Sequence, residues 1–286
     1  MPPANSGFHH IAVGDITVTA LNDGMLQGAF EVITGAPHDE AEAMLRASHR
    51  VIPPKLTVNA FLIRKGGHVT LVDTGSGALM GPTLGLLPAR LAAIGVAPDT
   101  VNTVLMTHLH IDHVAGLADA DGHALFPNAE LVMHEAEAAF WLDGEIDAGA
   151  PDAFRQAAGL ARSMTAPYAG RIRRAGAGSV LPGVMLHPLP GHTPGHSGFL
   201  VEDGGDAVLI WGDIVHLPGL QFARPEIGVV FDADPAMAVA TRARALDMAA
   251  TDRLRIAGMH LDFPTFAHVV RDGAGGYAAV PEVWLP

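Results

Sequence analysis

The chain has 286 residues, of which 49% are apolar, and this is enough for one large domain or two small ones. Seventeen Lys and Arg against 30 Asp and Glu give a formal net charge of -13, which argues against nucleic acid, anionic membranes and polyanionic substrates as partners. The absence of cysteine excludes disulfide scaffolds, thiolate metal sites and cysteine nucleophiles.

The first half of the chain alternates between strand and helix patterns. Runs of apolar and β-branched residues predict strands over 11–21, 56–63, 68–72 and 101–106. Asn22-Asp23-Gly24 predicts a turn after the first strand, and Lys65-Gly66-Gly67 predicts a hairpin between the next two. Helices are expected over 39–50 and 82–94, the second closed by Gly95.

The second half repeats this alternation. The predicted strands cover 131–133, 184–189, 199–201, 208–211 and 254–257, and the predicted helices cover 135–142 and 235–250. Residues 144–179, rich in Ala and Gly, predict a helical insertion with loose ends. Because no linker separates the halves, we expect one α/β domain over 1–286, with two packed sheets and helices outside.

No secretory leader or membrane span is apparent in the sequence. The first seven residues lack a basic start and an apolar run, and no uninterrupted apolar stretch is long enough to cross a bilayer. We therefore expect a soluble protein, cytoplasmic by default, while a periplasmic or secreted form with a removed leader stays open.

The segment after the fourth predicted strand concentrates metal-binding side chains. His108, His110, Asp112 and His113 place three imidazoles and a carboxylate within six positions. Neutral imidazole nitrogen and carboxylate oxygen suit zinc and similar divalent ions. A single histidine would be read as an ordinary core residue, but three around one aspartate predict a metal site.

Further polar side chains follow other predicted strands. His192 and His196 follow the strand over 184–189, Asp213 follows 208–211, and His260 follows 254–257. Residues at strand ends converge on a common rim in layered folds. Together with the four side chains of the 108–113 segment, His192, Asp213 and His260 make seven candidate ligands that could meet.

This set of motifs resembles that of the metallo-β-lactamase-fold hydrolases, whose signature is His-x-His-x-Asp-His with a later His, Asp and His. Within that superfamily the chain is most similar to the methyl parathion hydrolase branch, near the quorum-quenching lactonases. The segments that carry this closer similarity are 80–85, 126–129, 140–142 and 260–264. The resemblance implies a four-layer αβ/βα sandwich and a homodimer.

The resemblance also implies the distribution of the ligands. His108, His110 and His192 would bind one metal ion, Asp112, His113 and His260 would bind the second, and Asp213 would bridge both. Seven ligands are too many for one tetrahedral ion but suit two. We expect two Zn²⁺, with Mn, Co or Fe as alternatives.

Such a site predicts hydrolysis. Two divalent ions against Asp112, Asp213 and a bridging hydroxide leave roughly one positive charge, which favours developing anions. The hydroxide would attack a carbonyl carbon or a phosphorus atom. Asp112 could shuttle the proton or act only as a ligand, and both roles stay open.

Other residues are expected around the ligands. His216, three positions after Asp213, resembles a lactonase tyrosine position that contacts the substrate carbonyl, so it is a candidate catalytic donor or a pocket-lining residue. Asp73 and His196 are expected to hold a ligand imidazole or its loop in place. The candidates for a hydrophobic substrate pocket are Phe140, Trp141, Phe154, Tyr168 and Phe222.

The sequence therefore predicts a zinc hydrolase for a small neutral ester, first a lactone or aryl ester, with phosphotriesterase activity as an addition. The alternatives are an organophosphate hydrolase, a β-lactamase or thioester hydrolase, and, in another class, an iron-dependent redox member of the fold. We expect no nucleic acid or membrane partner.

Overall fold

Two seven-stranded mixed sheets form the middle of the molecule in the computed structural model, which describes residues 6–144 and 149–283. In spatial order the first sheet contains β1 (Phe8–Val13), β2 (Ile16–Gln27), β4 (Lys55–Lys65), β5 (His68–Val72), β6 (Thr103–Leu105), β7 (Glu130–His134) and β8 (Ile172–Ala175). The second contains β16 (Tyr277–Pro281), β15 (Ala267–Arg271), β14 (Arg255–Ala257), β12 (Asp206–Ile210), β11 (Ser197–Asp203), β10 (Val184–Pro188) and β9 (Gly178–Leu181). A small separate sheet pairs β3 (Ile33–Thr34) with β13 (Gly228–Val229).

Helices connect and cover these strands. They are α1 (His38–Ala47), α2 (Leu87–Ala93), α3 (Ile111–Val114), α4 (Glu135–Leu142), α5 (Asp152–Thr165), α6 (Pro218–Gln221) and α7 (Pro235–Thr251). Short 3-10 turns cover Phe30–Val32, Pro98–Thr100 and Ala166–Arg171. None of the helices in the described ranges has the length and apolar content that a bilayer span would require.

The two sheets pack face to face, with helices on both outer faces. Strand β4 shows why, because its alternating residues are buried on opposite faces: Phe61 packs into the core between the sheets, while Leu62 packs against helices. Helices α2, α4 and α5 cover the first sheet, and α7 covers the second. The predicted four-layer αβ/βα sandwich is confirmed.

Parallel pairing brings the strand ends to one rim. β5, β6 and β7 run parallel, with Val72, Leu105 and Val132 in register. β12 and β14 also run parallel, with Ile210 opposite Ala257. The residues that follow these strands therefore leave the sheets at the same edge.

The turn predicted at Asn22-Asp23-Gly24 is wrong. The chain instead turns between β1 and β2 and passes residues 22–24 as a bulge inside β2. The buried Asp23 carboxylate accepts hydrogen bonds from the backbone of Ser76 (2.9 Å) and Leu87 (2.9 Å), so this polar triplet serves a tertiary contact.

The helix predicted over 82–94 begins later, at Leu87. Gly85 adopts φ +78° and its N–H donates to Asp23, which holds residues 82–86 in a loop. Gly95, at φ +72°, closes the helix as predicted.

The segment 144–179 is helical only in part. It contains α5 and the 3-10 turn, but its end forms β8 and the start of β9, the edge strands of the two large sheets. Residues 145–148, at its beginning, lie outside the described residues. The expected loose C-terminal end is therefore wrong, because edge-strand pairing orders it.

Candidate metal centre

Loops and one short helix at the common rim bring the predicted ligands together. His108 and His110 follow β6, and α3 carries Asp112 and His113. The later ligands follow strands of the other sheet: His192 comes after β10, Asp213 after β12 and His260 after β14. Residues up to 152 positions apart in the sequence are thus gathered at one place.

The three-histidine set consists of His108, His110 and His192. Its ring nitrogens face one another, with Nδ1 of His110 3.1 Å from Nε2 of His108 and 2.9 Å from Nε2 of His192. One proton on His110 can serve only one of these two contacts. Such a convergence of imidazole lone pairs is characteristic of a cation site.

The mixed set consists of Asp112, His113 and His260. Oδ2 of Asp112 lies 3.6 Å from Nε2 of His113 and 3.4 Å from Nε2 of His260. The ligand atoms of this set all lie within 4.8 Å of one another, as do those of the three-histidine set. Either set could therefore hold one ion.

Asp213 lies between the two sets. Its Oδ2 atom is 3.1 Å from Nε2 of His260, 3.3 Å from Nε2 of His113 and 3.5 Å from Nε2 of His192. Its Oδ1 atom is buried and has no hydrogen-bond partner in the described structure. An anionic oxygen without a partner is costly at a buried position, and a bound cation would satisfy it.

The outward nitrogens of several ligands are fixed by oxygen acceptors. Nδ1 of His113 donates to Asp73 (2.7 Å), Nδ1 of His192 donates to Asp232 (2.8 Å), and Nδ1 of His260 donates to the Thr57 carbonyl (2.8 Å). In the neutral form of each ring, which is the form that binds metal, these bonds place the proton outside and leave a lone pair on the inner nitrogen. Nε2 of His113 is accordingly a buried atom without a partner among the described residues.

Asp73 and His196 each anchor part of the rim. Asp73 also accepts hydrogen bonds from the Thr107 backbone (2.8 Å) and hydroxyl (2.7 Å), next to the first ligand. His196 donates from Nδ1 to the Leu189 carbonyl (2.8 Å) and accepts from the Asp213 N–H at Nε2 (2.8 Å). His196 therefore holds the backbone of Asp213 rather than an imidazole.

Burial keeps most of the imidazoles neutral. It lowers the pKa of His108 and His192 well below 6.5 and that of His110 to about 4. For His113 the effect of burial is outweighed by Asp213, Asp112 and Asp73, and the pKa is raised well above 6.5. The three-histidine set thus offers neutral imidazole donors, while the carboxylates around His113 make the environment of the mixed set strongly anionic. This combination suits divalent cations.

His216 lies against this assembly. Its Nε2 is 3.2 Å from Oδ2 of Asp213, and its ring stacks on that of His260 with centroids 5.2 Å apart. The Gln221 side chain accepts from the His216 N–H (2.7 Å) and fixes the turn that carries it. His216 could also form a third set of potential ligands with His192 and Asp213.

An aromatic cluster adjoins the three-histidine set. The Trp141 ring lies 5.6 Å from that of His110, and Phe154 stacks on Trp141 at 5.6 Å. Phe140 lies 4.8 Å from Trp141 and 5.4 Å from Phe154. Phe140 and Phe154 are half-buried, whereas Trp141 is 3% exposed.

Tyr168 and Phe222 are not available to line a pocket, contrary to the prediction. Tyr168 is fully buried, where its hydroxyl accepts from the Phe126 N–H (3.0 Å) and donates to the Leu117 carbonyl (3.0 Å). Phe222 packs into the core beneath α7, 6.1 Å from Trp211. Both side chains contribute to packing because the loops that carry them fold inward.

Glu137, Asp232 and Thr57 also lie near the ligands, and the sequence analysis did not predict them. Glu137 is fully buried on α4, and burial raises its pKa to about 7 against the hydrogen bonds it accepts. A carboxylate four positions before Trp141 on the apolar face of a helix was the available signal. Thr57 acts through its carbonyl, so its side chain gives no signal.

Comparisons with known proteins agree with this geometry. The family model described as the metallo-beta-lactamase superfamily matches residues 53–260. The hydrolase AbOPH, described as a member of the beta lactamase superfamily, is 31% identical in sequence to this chain. Its crystal structure superimposes with a TM-score of 0.93, and the match covers 99% of this chain and 100% of that chain.

Two further similarities are more distant. A probable metallo-hydrolase of Mycobacterium tuberculosis is 29% identical over 217 residues, which is 62% of this chain but only 66% of the relative's length. AidC, a dizinc quorum-quenching lactonase, shares the fold at 22% identity, with a TM-score of 0.91 over 98% of this chain and 99% of that chain. The chain belongs to the metallo-beta-lactamase superfamily.

Proposed function

We propose that this protein is a two-metal hydrolase of small neutral esters, with lactones and aryl esters as the preferred class and phosphotriesters as additional substrates. The observation that carries the proposal is the sharing of Asp213 between the three-histidine set and the mixed set. Two complete sets joined by one carboxylate favour two adjacent ions over one. Zinc is the proposed metal because the donors are imidazole and carboxylate.

Divalent ions bound in the two sets would lower the pKa of a bound water molecule to about 7 and polarise an ester carbonyl. The protein's part is to hold the donors in place. Asp73, Asp232 and the Thr57 carbonyl orient one imidazole each, so little rearrangement is needed when ions and substrate bind.

Two side chains are the proposed proton-transfer groups. Asp112, a member of the mixed set, has 14% of its side chain exposed, compared with 3% for Asp213, and it could accept a proton from the attacking water. His216 has a buried Nδ1 without a hydrogen-bond partner among the described residues. We propose that His216 contacts the carbonyl oxygen or the leaving oxygen of the substrate.

The aromatic cluster favours an uncharged substrate with an apolar group. Phe154 and Phe140 offer partly exposed rings beside Trp141, which itself lies against His110. An acyl chain or aryl ring placed there would be held next to the three-histidine set. This arrangement supports lactones and aryl esters, which combine such a group with a neutral carbonyl.

The decisive experiment is a parallel assay of protein purified without added metal. Metal content is measured first, followed by kcat/KM for a γ-lactone, an aryl ester, a neutral phosphotriester, a penicillin and a thioester. We expect about two zinc ions per chain and the highest kcat/KM for the lactone or the aryl ester. Bound iron with oxygen consumption, or a dominant penicillin or thioester activity, would contradict the proposal.

A further inference from the structure

We infer that two buried side chains outside the ligand sets, Glu137 and Asn59, each position the ligands of one metal ion. Glu137 serves the three-histidine set, and Asn59 serves the mixed set. The affinities of the two ions can therefore be changed separately. This inference rests on the two-metal site proposed above.

Glu137 connects the two loops that form the three-histidine set. Its Oε1 accepts from the Leu109 N–H (2.9 Å), and Leu109 lies between His108 and His110. Its Oε2 accepts from the Thr193 hydroxyl (2.5 Å), directly after His192. One carboxylate thus joins a loop of the first sheet to a loop of the second.

Two further contacts fix this carboxylate and its helix. Nε1 of Trp141 donates to Oε1 (2.7 Å), and the Gly195 N–H donates to Oε2 (3.1 Å). Helix α4 also lies directly on the 191–196 loop, since a Cβ added at Gly195 would stand 2.0 Å from the Glu137 nitrogen. The Glu137 carboxylate thus accepts four hydrogen bonds, from Leu109, Trp141, Thr193 and Gly195, and these fix its orientation independently of the metal.

Asn59 holds the loop that delivers His260. Its Nδ2 atom donates to the carbonyls of Leu261 (2.9 Å) and Met259 (3.0 Å), with the Gly258 carbonyl at 3.4 Å. Its backbone N–H also donates to Met259 (2.9 Å). Asn59 belongs to β4 of the first sheet, whereas the 258–261 loop follows β14 of the second.

The orientation of the Asn59 amide is itself determined. Nδ2 of Asn22 donates to Oδ1 of Asn59 (3.1 Å), which directs the Asn59 N–H groups toward the loop. Two residues earlier on β4, the Thr57 carbonyl accepts from Nδ1 of His260. Strand β4 therefore holds both the backbone around His260, through Asn59, and the His260 ring, through Thr57.

Glu137 and Asn59 contact the loops of different ligands. Glu137 contacts the backbone or side chains of 109, 193 and 195, while the Asn59 amide contacts 258, 259 and 261. Removing such outer contacts costs about 10–100-fold in metal affinity. Each loss should fall on the ion whose ligand loop is released.

The test measures zinc affinity in variants that retain one set at a time. His260→Ala impairs the mixed set, and His110→Ala impairs the three-histidine set. Full-length metal-free protein is titrated with zinc against a chromophoric chelator. Glu137→Gln and Asn59→Asp, which keep side-chain shape, are then introduced into both backgrounds.

We expect Glu137→Gln to weaken zinc binding about 10–100-fold in the His260→Ala background and less than about 3-fold in the His110→Ala background. Asn59→Asp should show the reverse. Thermal unfolding of each metal-free variant checks folding. Thr193→Val, which removes one of the four donors to Glu137, replaces Glu137→Gln if that variant does not fold, and Asn22→Ala replaces Asn59→Asp in the same way.

Equal losses in both backgrounds, or no loss in either, would overturn the inference while leaving the two-metal function intact. If the unmutated protein binds fewer than two zinc ions, the proposed function is refuted, and this inference is refuted with it. The crossed pattern of losses is therefore specific to positioning, because a general loss of stability would weaken both sets alike.

Discussion

Nε2 of His216 and Nε2 of His260 approach the same oxygen, Oδ2 of Asp213, at 3.2 and 3.1 Å. The two rings are nearly parallel, with an interplanar angle of 20°. Their other nitrogens differ, because Nδ1 of His260 donates to Thr57 while Nδ1 of His216 is without a partner in the described structure. His260 is therefore suited to bind metal through its inner nitrogen, whereas His216 has a free nitrogen for the proposed contact with the substrate.

His216→Ala should lower kcat without removing metal. A positioned donor contributes roughly 10²-fold or more to such reactions, so we expect kcat for a lactone to fall by about that factor. Metal content and kcat are measured on the same preparation. Loss of one ion would make His216 a ligand, and unchanged kinetics would remove it from the mechanism.

Removal of metal should destabilise the protein. Without cations, Nδ1 of His110 can form a proper hydrogen bond with only one of its two imidazole neighbours, and Oδ1 of Asp213 is buried without a partner among the described residues. A ligand that binds only the folded state, at 1,000 times its Kd, contributes about 4 kcal/mol per site.

Scanning calorimetry before and after chelation, and again after zinc is restored, measures this effect. We expect a reversible fall in the melting temperature. Asp213→Asn should show a smaller response to zinc, since it removes the carboxylate shared by both sets. A melting temperature indifferent to chelation would contradict a metal site in this pocket.

Phe154→Ala should change substrate selection. The ring is half-buried and stacks on Trp141, so its loss removes one wall of the proposed apolar subsite. An aromatic contact contributes about 0.5–1.5 kcal/mol, which corresponds to roughly 2–10-fold in kcat/KM for an aryl ester. A short lactone without an apolar chain should be affected less, and equal effects on both substrates would argue against the subsite.

Tyr168→Phe should lower stability and leave substrate selection unchanged. The hydroxyl joins the Phe126 N–H to the Leu117 carbonyl inside the core. Its loss leaves the buried Phe126 N–H unpaired, while the Leu117 carbonyl keeps the hydrogen bond from the Leu125 N–H (2.8 Å). The expected cost in the free energy of unfolding is about 1–3 kcal/mol, measured by urea denaturation. A changed ratio of aryl ester to lactone rates would show instead that Tyr168 influences the pocket.

The convergence of the candidate ligand side chains at one rim could be predicted from the sequence because its signal is local. His108, His110, Asp112 and His113 lie within six residues, and apolar strands precede the other ligands. Residues whose role depends on tertiary packing were harder to predict. Tyr168 and Phe222 look like pocket aromatics until the fold turns them inward, and Asn59 meets its partners 199–202 residues away.

Glu137 should make the stability of the metal-free protein depend on pH. Burial raises its pKa from 4.5 to about 7, although four donors oppose this shift. Between these values the unfolded chain releases a proton that the folded protein retains, so stability falls as pH rises from about 4.5 to 7. The shift corresponds to roughly 3 kcal/mol in the free energy of unfolding.

Glu137→Gln lacks this titration and serves as the reference, because the nearby histidines titrate in both proteins. Urea denaturation of both metal-free proteins between pH 5 and 8 gives their difference in the free energy of unfolding. That difference, wild type minus variant, should decrease with rising pH by roughly 2–3 kcal/mol and level off above pH 7. A difference that stays constant would mean that the four donors hold Glu137 ionised throughout, and that their hydrogen bonds outweigh the cost of burying its charge.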